Sequence, residues 1–195
     1  GGWALGKRHG TGALRYSAAG DEYDGEWRDD ARHGRGTMIY ASGDRYEGEW
    51  ASGLRHGAGA MKWLTARETY CGEWANGRPH GRGEHVWLRL QDGVQRREAY
   101  VGAWADGKRQ GIGTFVYANG TEYEGEWDDD RKHGHGRFTF EDGSYYEGRF
   151  ERDRMVDSPP LNRSLDASGP LHPPLPRHLA AFRRRCLRDA TLAQA

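Results

Sequence analysis

Aliphatic residues are scarce in this chain. Leu, Ile, Val and Phe account for 25 of its 195 residues, a fraction that indicates disorder in a chain of high net charge. Here, however, 29 basic residues balance 29 acidic ones, and eight Trp and ten Tyr supply apolar surface in place of aliphatic side chains. We therefore predict a folded chain with an aromatic core, in which 30 glycines make room for the rings.

Cysteines and long apolar runs are also few. Cys71 and Cys186 do not make a disulfide framework, so we expect a reducing compartment. No apolar run approaches the roughly 18 residues of a transmembrane helix, and the N-terminus lacks the basic-then-apolar pattern of a signal peptide. The chain begins at Gly1 without Met, in the middle of a repeat, which indicates a piece of a longer protein.

What the sequence does contain is one motif in seven copies. Residues 23–27 read Tyr-Asp-Gly-Glu-Trp, and residues 33–36 follow with His-Gly-Arg-Gly. The Trp position recurs at intervals of 23 or 24 residues, apart from one interval of 30, and is occupied by Trp3, Trp27, Trp50, Trp74, Trp104, Trp127 and, in the seventh copy, Phe150. A fixed period of this length indicates a repeat array.

Each copy alternates with a period of two, which is typical of β-strands. Tyr46, Gly48 and Trp50 face one way, and Glu47 and Glu49 face the other. Turns that combine Gly with Asn or Asp join the strands into hairpins. We predict an all-β fold, an elongated and twisted single-layer antiparallel meander of about six hairpins that advances roughly 10 Å per hairpin.

A glycine recurs at one place in every strand of the motif, although Gly normally weakens a strand interior. We predict that an aromatic ring from the neighbouring strand lies flat across each missing side chain. These structural glycines are Gly25, Gly36, Gly48, Gly59, Gly72, Gly83, Gly102, Gly113, Gly125, Gly136 and Gly148.

The pattern divides the chain into three segments. We predict a repeat array of six to seven copies over residues 1–157, a Pro-rich linker over 158–176 and a basic tail with a short helix over 177–195. The tail carries a net charge of +4. Three roles stay open for it: docking to an acidic partner, a solvated helix, or a membrane-surface element, in that order of preference.

The fourth copy departs from the others. Between Trp87 and Tyr100 the chain adds about seven residues, which we interpret as a longer loop on one edge of the sheet and a place for partner contact. The following copy has Gln110 where the others have His.

The copies resemble MORN repeats (membrane occupation and recognition nexus), whose pattern is Tyr-x-Gly-x-Trp followed by a Gly-rich second strand; the resemblance covers residues 1–150. A narrower resemblance rests on residues 61–65 (Met-Lys-Trp-Leu-Thr), residues 70–74 (Tyr-Cys-Gly-Glu-Trp) and the lengthened copy ending at residues 97–102. Together these segments resemble the radial spoke head 10 homologue family of motile cilia.

That second resemblance implies an architectural, non-catalytic role in the radial spoke head of the ciliary or flagellar axoneme, facing the central pair apparatus. The implied partners are other radial spoke head proteins in a large axonemal complex. We expect no cofactor, no nucleic acid and no membrane partner.

The aromatic face is the predicted partner-binding site. A single-layer sheet has no second layer behind it, and a large apolar patch usually marks an interface. We expect a groove that accepts a helix or an extended peptide, either from another chain or from the tail of this one. The predicted residues are Trp27, Tyr40, Tyr46, Trp50, Trp63, Tyr70, Trp74, Trp87, Tyr100, Trp104, Tyr117, Tyr123, Trp127, Phe140 and Tyr146.

Other site chemistries fit poorly. Recurring histidines lie about 10 Å apart in such an array, too far to share one zinc, so we expect no metal; they are His9, His33, His56, His80 and His133. Acidic pairs such as Glu47 with Glu49 and Glu124 with Glu126 are expected on an exposed face, where they favour solubility and protect edges. No nucleophile has a distinctive setting, so we predict no catalytic residue.

Two alternatives remain at this stage. The basic turns at residues 7–8, 108–109 and 131–132 could hold anionic lipid head groups on a membrane-associated scaffold, although neighbouring Asp residues offset their charge. The array could also regulate an enzyme whose catalytic domain lies elsewhere in a longer chain.

Overall fold

The fold is taken from a computed structural model, and the structure describes residues 1–16 and 20–156. The predicted Pro-rich linker and basic tail, with its helix and Cys186, lie outside these residues. Within them every regular element is a strand. The strands are β1 (Trp3–Ala4), β2 (Lys7–Arg8), β3 (Gly10–Arg15), β4 (Glu22–Arg28), β5 (Ala31–Ile39), β6 (Arg45–Ala51), β7 (Leu54–Trp63), β8 (Glu68–Ala75), β9 (Arg78–Gln91), β10 (Val94–Ala105), β11 (Lys108–Val116), β12 (Glu122–Asp128), β13 (Arg131–Thr139), β14 (Tyr145–Glu151) and β15 (Arg154–Met155).

Strands β3 to β15 form one 13-stranded antiparallel sheet, and β1 pairs with β2 in a separate ribbon. Each strand of the large sheet lies beside its neighbours in the sequence. This order confirms the predicted all-β antiparallel meander. Successive copies therefore follow one another in space as they do along the chain.

A row of glycines crosses twelve adjacent strands of the sheet. Gly12 on β3 pairs with Gly25 on β4, Gly25 pairs with Gly36 on β5, and the pairing continues strand by strand to Gly148 on β14. A Cβ added at Gly25 would lie 2.4 Å from the Cα of Gly36. The strands thus approach too closely along this row for any larger residue.

A bulge follows the glycine row in the second, third, fourth and sixth copies. In the second copy Gly25 pairs with Gly36 and Glu26 with His33, which leaves Gly34 and Arg35 opposite no residue of β4. Gly34 has φ +55°, a backbone conformation that suits glycine. Beyond the bulge the ladder resumes with Glu26 opposite His33 and Trp27 opposite Arg32.

The second glutamate of the motif supports this bulge, which corrects the expectation that both acidic residues only coat an exposed face. Glu26 accepts a hydrogen bond through Oε1 from the backbone N–H of Arg35 at 2.7 Å, and Glu126 does the same for His135 at 2.8 Å. Its carboxylate fills the space beside the bulged glycine, where a Cβ at Gly34 would lie 2.4 Å from Glu26 Oε2.

The extra residues of the fourth copy form a hairpin arm, not the predicted loop. Gln91 of β9 pairs with Val94 of β10, so Asp92 and Gly93 alone make the turn. Both have positive φ, +52° and +75°, as a two-residue hairpin turn requires. Continued alternation and the Asp-Gly pair favour strand pairing over an irregular loop. We call the hairpin from Leu88 to Arg97 the arm.

Candidate protein-docking surface

In the second to sixth copies the first tyrosine covers a pair of glycines. Tyr23 is buried, and a Cβ at Gly36 on the neighbouring strand would lie 2.3 Å from its Oη. A Cβ at Gly25, on the same strand as the ring, would lie 2.6 Å from Oη and would also strike the backbone of β5. At Gly36 and its equivalents, a ring from the neighbouring strand covers the glycine, as predicted. At Gly25 and its equivalents, the ring comes from the same strand, and the backbone of the neighbouring strand also lies against the glycine.

The phenol group is satisfied within the array. Tyr23 Oη donates a hydrogen bond to the carbonyl of Glu26 at 2.9 Å, and the same bond recurs in the later copies. Burial raises the pKa of the Tyr46 and Tyr70 hydroxyls well above its usual value, since a phenolate would lose its hydration. These hydroxyls are structural donors and have no catalytic setting.

Tryptophan connects each copy to the one before it. Trp50 donates from Nε1 to the carbonyl of Gly36 at 3.1 Å, and it meets Tyr46 and Tyr23 edge to face at 5.0 and 5.5 Å between ring centroids. Such contacts add to the stabilisation from area burial alone. The alternation of Trp and Tyr continues without a gap to Phe150 and Tyr146. We call this continuous core the ring ladder.

The ring ladder contains ten of the fifteen residues predicted to bind a partner. Their exposed fractions are between 0 and 6 %, so in this fold they contact one another and offer no free surface. The physical reason is the glycine row. Because these residues have no side chain, the rings fit into the space above them and pack against one another. These ten are Trp27, Tyr46, Trp50, Tyr70, Trp74, Tyr100, Trp104, Tyr123, Trp127 and Tyr146.

The other five predicted residues remain partly exposed. They occupy one position per copy, immediately before the turn or, in the fourth copy, at the base of the arm, and pack against the ring ladder with one side: Tyr40, Trp63, Trp87, Tyr117 and Phe140. Tyr16 occupies the same position in the first copy and was missed, although the 24-residue spacing from Tyr40 could have identified it. We call these six residues the aromatic row, and the docking prediction applies to them.

Cations cover the edge of the ring ladder. The guanidinium of Arg32 lies 4.3 Å from the ring centroid of Trp50, and Arg55 and Arg109 hold the same relation to Trp74 and Trp127. Arg55 also donates through Nη2 to the carbonyl of Gly77 at 2.8 Å. Each such cation therefore joins one copy to the next.

Several cations of the basic turns are engaged inside the array. Arg8 lies 4.2 Å above Trp27 and pairs with Asp30 at 2.9 Å, while Arg109 pairs with Asp130 at 3.0 Å. Lys108 pairs with Asp129. These contacts lower the positive charge that the turns present to an anionic surface.

The fourth copy places His85 where the second and third copies have methionine. Its ring stacks on Trp87 at 4.0 Å between centroids and lies 5.5 Å from Trp63 on its other side. Its Nε2 is 3.1 Å from Oε2 of Glu68. Burial, with a smaller effect from the Arg109 cation, lowers the pKa of His85 to about 4. This imidazole is therefore neutral at pH 7 and joins two members of the aromatic row.

The described residues contain neither a cluster suited to a metal ion nor a helix suited to a membrane. Across 1–16 and 20–156, no three His, Cys, Asp or Glu side chains come together as a metal site. In that same part of the chain, no helix has the length and apolarity to cross a bilayer.

Comparison with known proteins decides the family. The MORN repeat profile matches six segments that together cover more than half of the chain: residues 1–18, 23–45, 46–63, 70–87, 100–122 and 123–145. The chain belongs to the MORN-repeat family. The architecture is thus an array of MORN hairpins, and the MORN-repeat family is one of repeat scaffolds. The copy that ends in Phe150 lies beyond the matched segments.

Among solved structures, one similar chain is the TCP domain of SAS-4 (dCPAP) from Drosophila melanogaster, in complex with a proline-rich motif of Ana2 (dSTIL). The two chains are 11% identical, the match covers 72% of this chain and 90% of that one, and the TM-score is 0.25.

Proposed function

We propose that this MORN array is a structural, non-catalytic component of the radial spoke head in motile cilia and flagella, where it docks other spoke head proteins. The observation that carries the docking role is the aromatic row. It places one half-buried ring per copy along a sheet whose buried core is closed by its own contacts. Rings that remain exposed beside a completed core are suited to contact with another protein.

The ring ladder holds the residues of the aromatic row at a regular spacing. Each Trp bonds to the preceding copy, so neighbouring row residues stay about 10 Å apart, the width of two strands. A long partner segment can therefore contact several copies at once. A spacer and docking platform needs this combination of fixed spacing and repeated contacts.

The ciliary assignment rests on the narrower sequence resemblance. Its residues 61–65 end β7, its residues 70–74 lie in β8, and its residues 97–102 lie in β10 at the base of the arm. These segments surround the one irregular copy of the array. The residues that carry the family resemblance therefore lie around the arm.

A membrane-bound scaffold is less well supported. The turn cations Arg8, Lys108 and Arg109 pair with aspartates of the next copy, and Arg8 and Arg109 also cover rings. An anionic head group would have to compete with those carboxylates. We therefore place protein docking ahead of lipid binding.

The test is affinity purification of the tagged full-length protein from ciliated cells, with a moderate-salt wash and mass spectrometry. The wild-type protein should recover radial spoke components. A row variant, Tyr40→Ser with Tyr117→Ser, should lose them. The matched control is Ile39→Ser with Val116→Ser, which changes the adjacent and partly exposed positions and should retain the spoke components.

Two outcomes would contradict different parts of the proposal. Recovery of membrane proteins or lipid kinases in place of spoke components would overturn the ciliary assignment. Unchanged recovery by the row variant would overturn docking through the aromatic row.

A further inference from the structure

The sixth copy places a cation against the aromatic row. In four other copies an arginine lies 4.2 to 4.4 Å from the ring centroid of the next tryptophan: Arg8, Arg32, Arg55 and Arg109. Lys132 takes this position in the sixth copy, where Phe150 takes the place of the next tryptophan. Its Nζ lies 5.5 Å from the ring centroid of Tyr117, a member of the aromatic row, and 5.1 Å from that of Phe138. The charge of Lys132 therefore lies at the docking surface.

The ammonium of Lys132 forms no ion pair among the described residues. In the preceding copy Asp130 pairs with the guanidinium of Arg109 at 3.0 Å. The equivalent aspartate of the next copy, Asp153, accepts a hydrogen bond at 3.0 Å from the backbone N–H of Lys132, whereas Nζ donates to Tyr117 Oη at 3.1 Å. An ammonium carries three donors, so Lys132 can bind an anion and keep its bond to Tyr117.

The arm contributes a second cation. Arg96 of β10 lies directly opposite Arg89 of β9, on the face of the strand that also carries Tyr100. Like charges in this arrangement destabilise a strand pair. Glu98 binds Arg89 at 3.0 Å, and Arg96 is exposed, with no ion pair in the part of the chain that the structure describes. An anion beside Arg96 would therefore relieve a repulsion within the arm.

Lys132 and Arg96 line the same cleft. The cleft has a volume of about 560 Å³ and lies between the arm, the turn that joins β11 to β12, and β13. The half-buried rings of Tyr117 and Phe138 form part of its wall, with centroids 6.0 Å apart. The cleft thus combines two cations with an aromatic surface.

Two acidic groups near the cleft are engaged with other side chains. Glu98, which lines it, binds Arg89. Glu141 accepts a hydrogen bond from Nδ2 of Asn119 at 2.7 Å, and Oδ1 of Asn119 accepts one from the hydroxyl of Thr121 at 2.8 Å. A molecule that enters the cleft therefore meets an excess of positive charge beside two rings.

We propose that this cleft is an anchor site for an acidic segment of the docked protein: a carboxylate of the segment binds Lys132 and Arg96, and a neighbouring apolar side chain packs on Tyr117 and Phe138. Charge-assisted hydrogen bonds of this kind are stronger than neutral ones, and the rings supply apolar contact area beside them. The inference rests on the docking part of the proposed function, because it names the chemistry of the partner, and does not depend on the ciliary assignment.

The rings favour a protein segment over a lipid head group as the occupant. A phosphate head group could bind the two cations, but it offers no side chain to pack on Tyr117 and Phe138. An acidic residue beside an apolar one satisfies both parts of the cleft. The charge of the cleft also disfavours basic segments, which would add to the repulsion around Arg96.

The cleft also fixes the register of the partner. The aromatic row offers similar contacts in every copy, so a partner that binds the row alone could shift by one copy. The arm occurs once, in the fourth copy, so the cleft that it borders also occurs once. A partner with an acidic residue in the cleft therefore has a single position along the array.

The experiment measures binding of capped pentapeptides to the purified 195-residue chain by isothermal titration calorimetry. The probe is acetyl-Gly-Glu-Phe-Glu-Gly-amide, and its charge-reversed counterpart is acetyl-Gly-Lys-Phe-Lys-Gly-amide. We expect saturable binding of the probe and at least tenfold weaker binding of the counterpart. Replacing the Phe of the probe with Ala should weaken binding at least threefold, because the contact with the rings is lost.

Acetylation of lysines, followed by mass spectrometry, locates the contact. Bound probe should slow the acetylation of Lys132 at least threefold. Lys62 of β7 is also half-buried and lies two copies or more from the cleft, so its acetylation should not change.

Variants test the cations of the cleft. Arg96→Glu with Lys132→Glu should weaken binding of the probe at least tenfold. The matched control, Arg78→Glu with Lys62→Glu, makes the same charge change at an exposed arginine and a half-buried lysine outside the cleft and should leave the affinity within twofold. A midpoint of urea denaturation close to that of the wild type will show that each variant remains folded.

Absence of saturable binding of the probe, equal affinity for the charge-reversed peptide, or protection of Lys62 in place of Lys132 would each overturn the inference. So would equal effects of the cleft variant and its control. Binding of phosphatidylserine vesicles that depends on Arg96 and Lys132, without binding of the probe, would assign the cleft to lipid head groups instead. Because the peptides are synthetic, these results do not depend on whether the full-length protein recovers spoke components.

Discussion

The third and fourth copies of the array share one ring ladder but differ at its edge. In the third copy Arg55 covers Trp74 and approaches the sulfur of Met61 at 3.7 Å. In the fourth copy Pro79 takes the place of that arginine, and His85 takes the place of the methionine. The histidine stacks between two tryptophans, and the arm rises beside it.

This comparison separates two kinds of position. The Tyr, Trp and Gly of the motif are required by the packing of neighbouring copies, and they persist in both. The positions that cover the ring ladder differ between the two copies. Arg55 beside Met61 covers the rings in the third copy, and His85 between two tryptophans covers them in the fourth. Binding specificity in a repeat array can therefore arise at such positions without loss of the fold.

The largest expected effect comes from breaking the shared ladder with Gly59→Val. A Cβ at Gly59 would lie 2.2 Å from Tyr46 Oη, so the buried ring has to move. We expect the free energy of unfolding to fall by about 3 kcal/mol or more, measured by urea denaturation with Trp fluorescence.

The matched control for that change is Gly93→Ala in the arm turn. Gly93 has φ +75° but open space around it, so we expect a loss of only about 1 kcal/mol. Losses of equal size would contradict the distinction between the ladder and the arm.

The second prediction concerns pH and the fourth copy. The pKa of His85 is lowered to about 4 by burial and by Arg109, so between pH 6.5 and 4 the unfolded chain binds this proton more readily than the folded chain. Stability should be complete above pH 6.5 and should decline by about 2 kcal/mol from pH 7.5 to 5.0. Urea denaturation at the two pH values will measure it.

His85→Met restores the residue type of the third copy and should remove most of this decline. Glu68 acts in the opposite sense, since burial raises its pKa and lower pH then favours the folded state. Replacing the exposed His135 with Met should leave the decline intact. An unchanged decline in His85→Met would show that another group is responsible.

A smaller effect is expected from Arg55→Ala. This change removes the arginine that covers Trp74 in the third copy and that Pro79 replaces in the fourth. The variant loses a contact at 4.4 Å to Trp74 and a hydrogen bond of 2.8 Å to Gly77. We expect a loss of about 1–2 kcal/mol in urea denaturation. The exposed Arg78→Ala should change the free energy by less than about 0.5 kcal/mol.

The smallest effect is expected at the tip of the arm. Leu90 and Val94 are 60% and 57% exposed, so Leu90→Ser with Val94→Ser should alter the free energy of unfolding by less than about 0.5 kcal/mol. A loss above 1 kcal/mol in urea denaturation would show that the arm stabilises the array and is not primarily a contact surface.

Several features of the site could be predicted from local pattern. The spacing of Trp50 from Trp27 gave the copy length, and the alternation around Gly48 gave the strand faces. The close approach at the glycines followed from their recurrence within strands. In contrast, the support that Glu26 gives to the bulge depends on backbone geometry nine residues away, which alternation does not describe.

The exposure of the aromatic residues could not be predicted in the same way. Tyr46 and Tyr40 are both aromatic residues on the same face, yet only Tyr46 lies over a pair of glycines and is fully buried. The difference depends on what the neighbouring strands place around each ring. The prediction of a loop between Trp87 and Tyr100 is wrong because Asp92 and Gly93 adopt a two-residue hairpin turn that lets the extra residues pair as strands.

The sequence by itself determined the repeat period, the hairpins and their order in the sheet. It could do so because strands in this meander pair with their neighbours in the chain, so local alternation and turn residues already specify the partners. Only the tertiary structure decided which rings stay exposed, that His85 is held neutral, and that the extra residues of the fourth copy form a paired hairpin arm. Those properties arise from contacts between copies, where burial and charge depend on residues 20 or more positions apart.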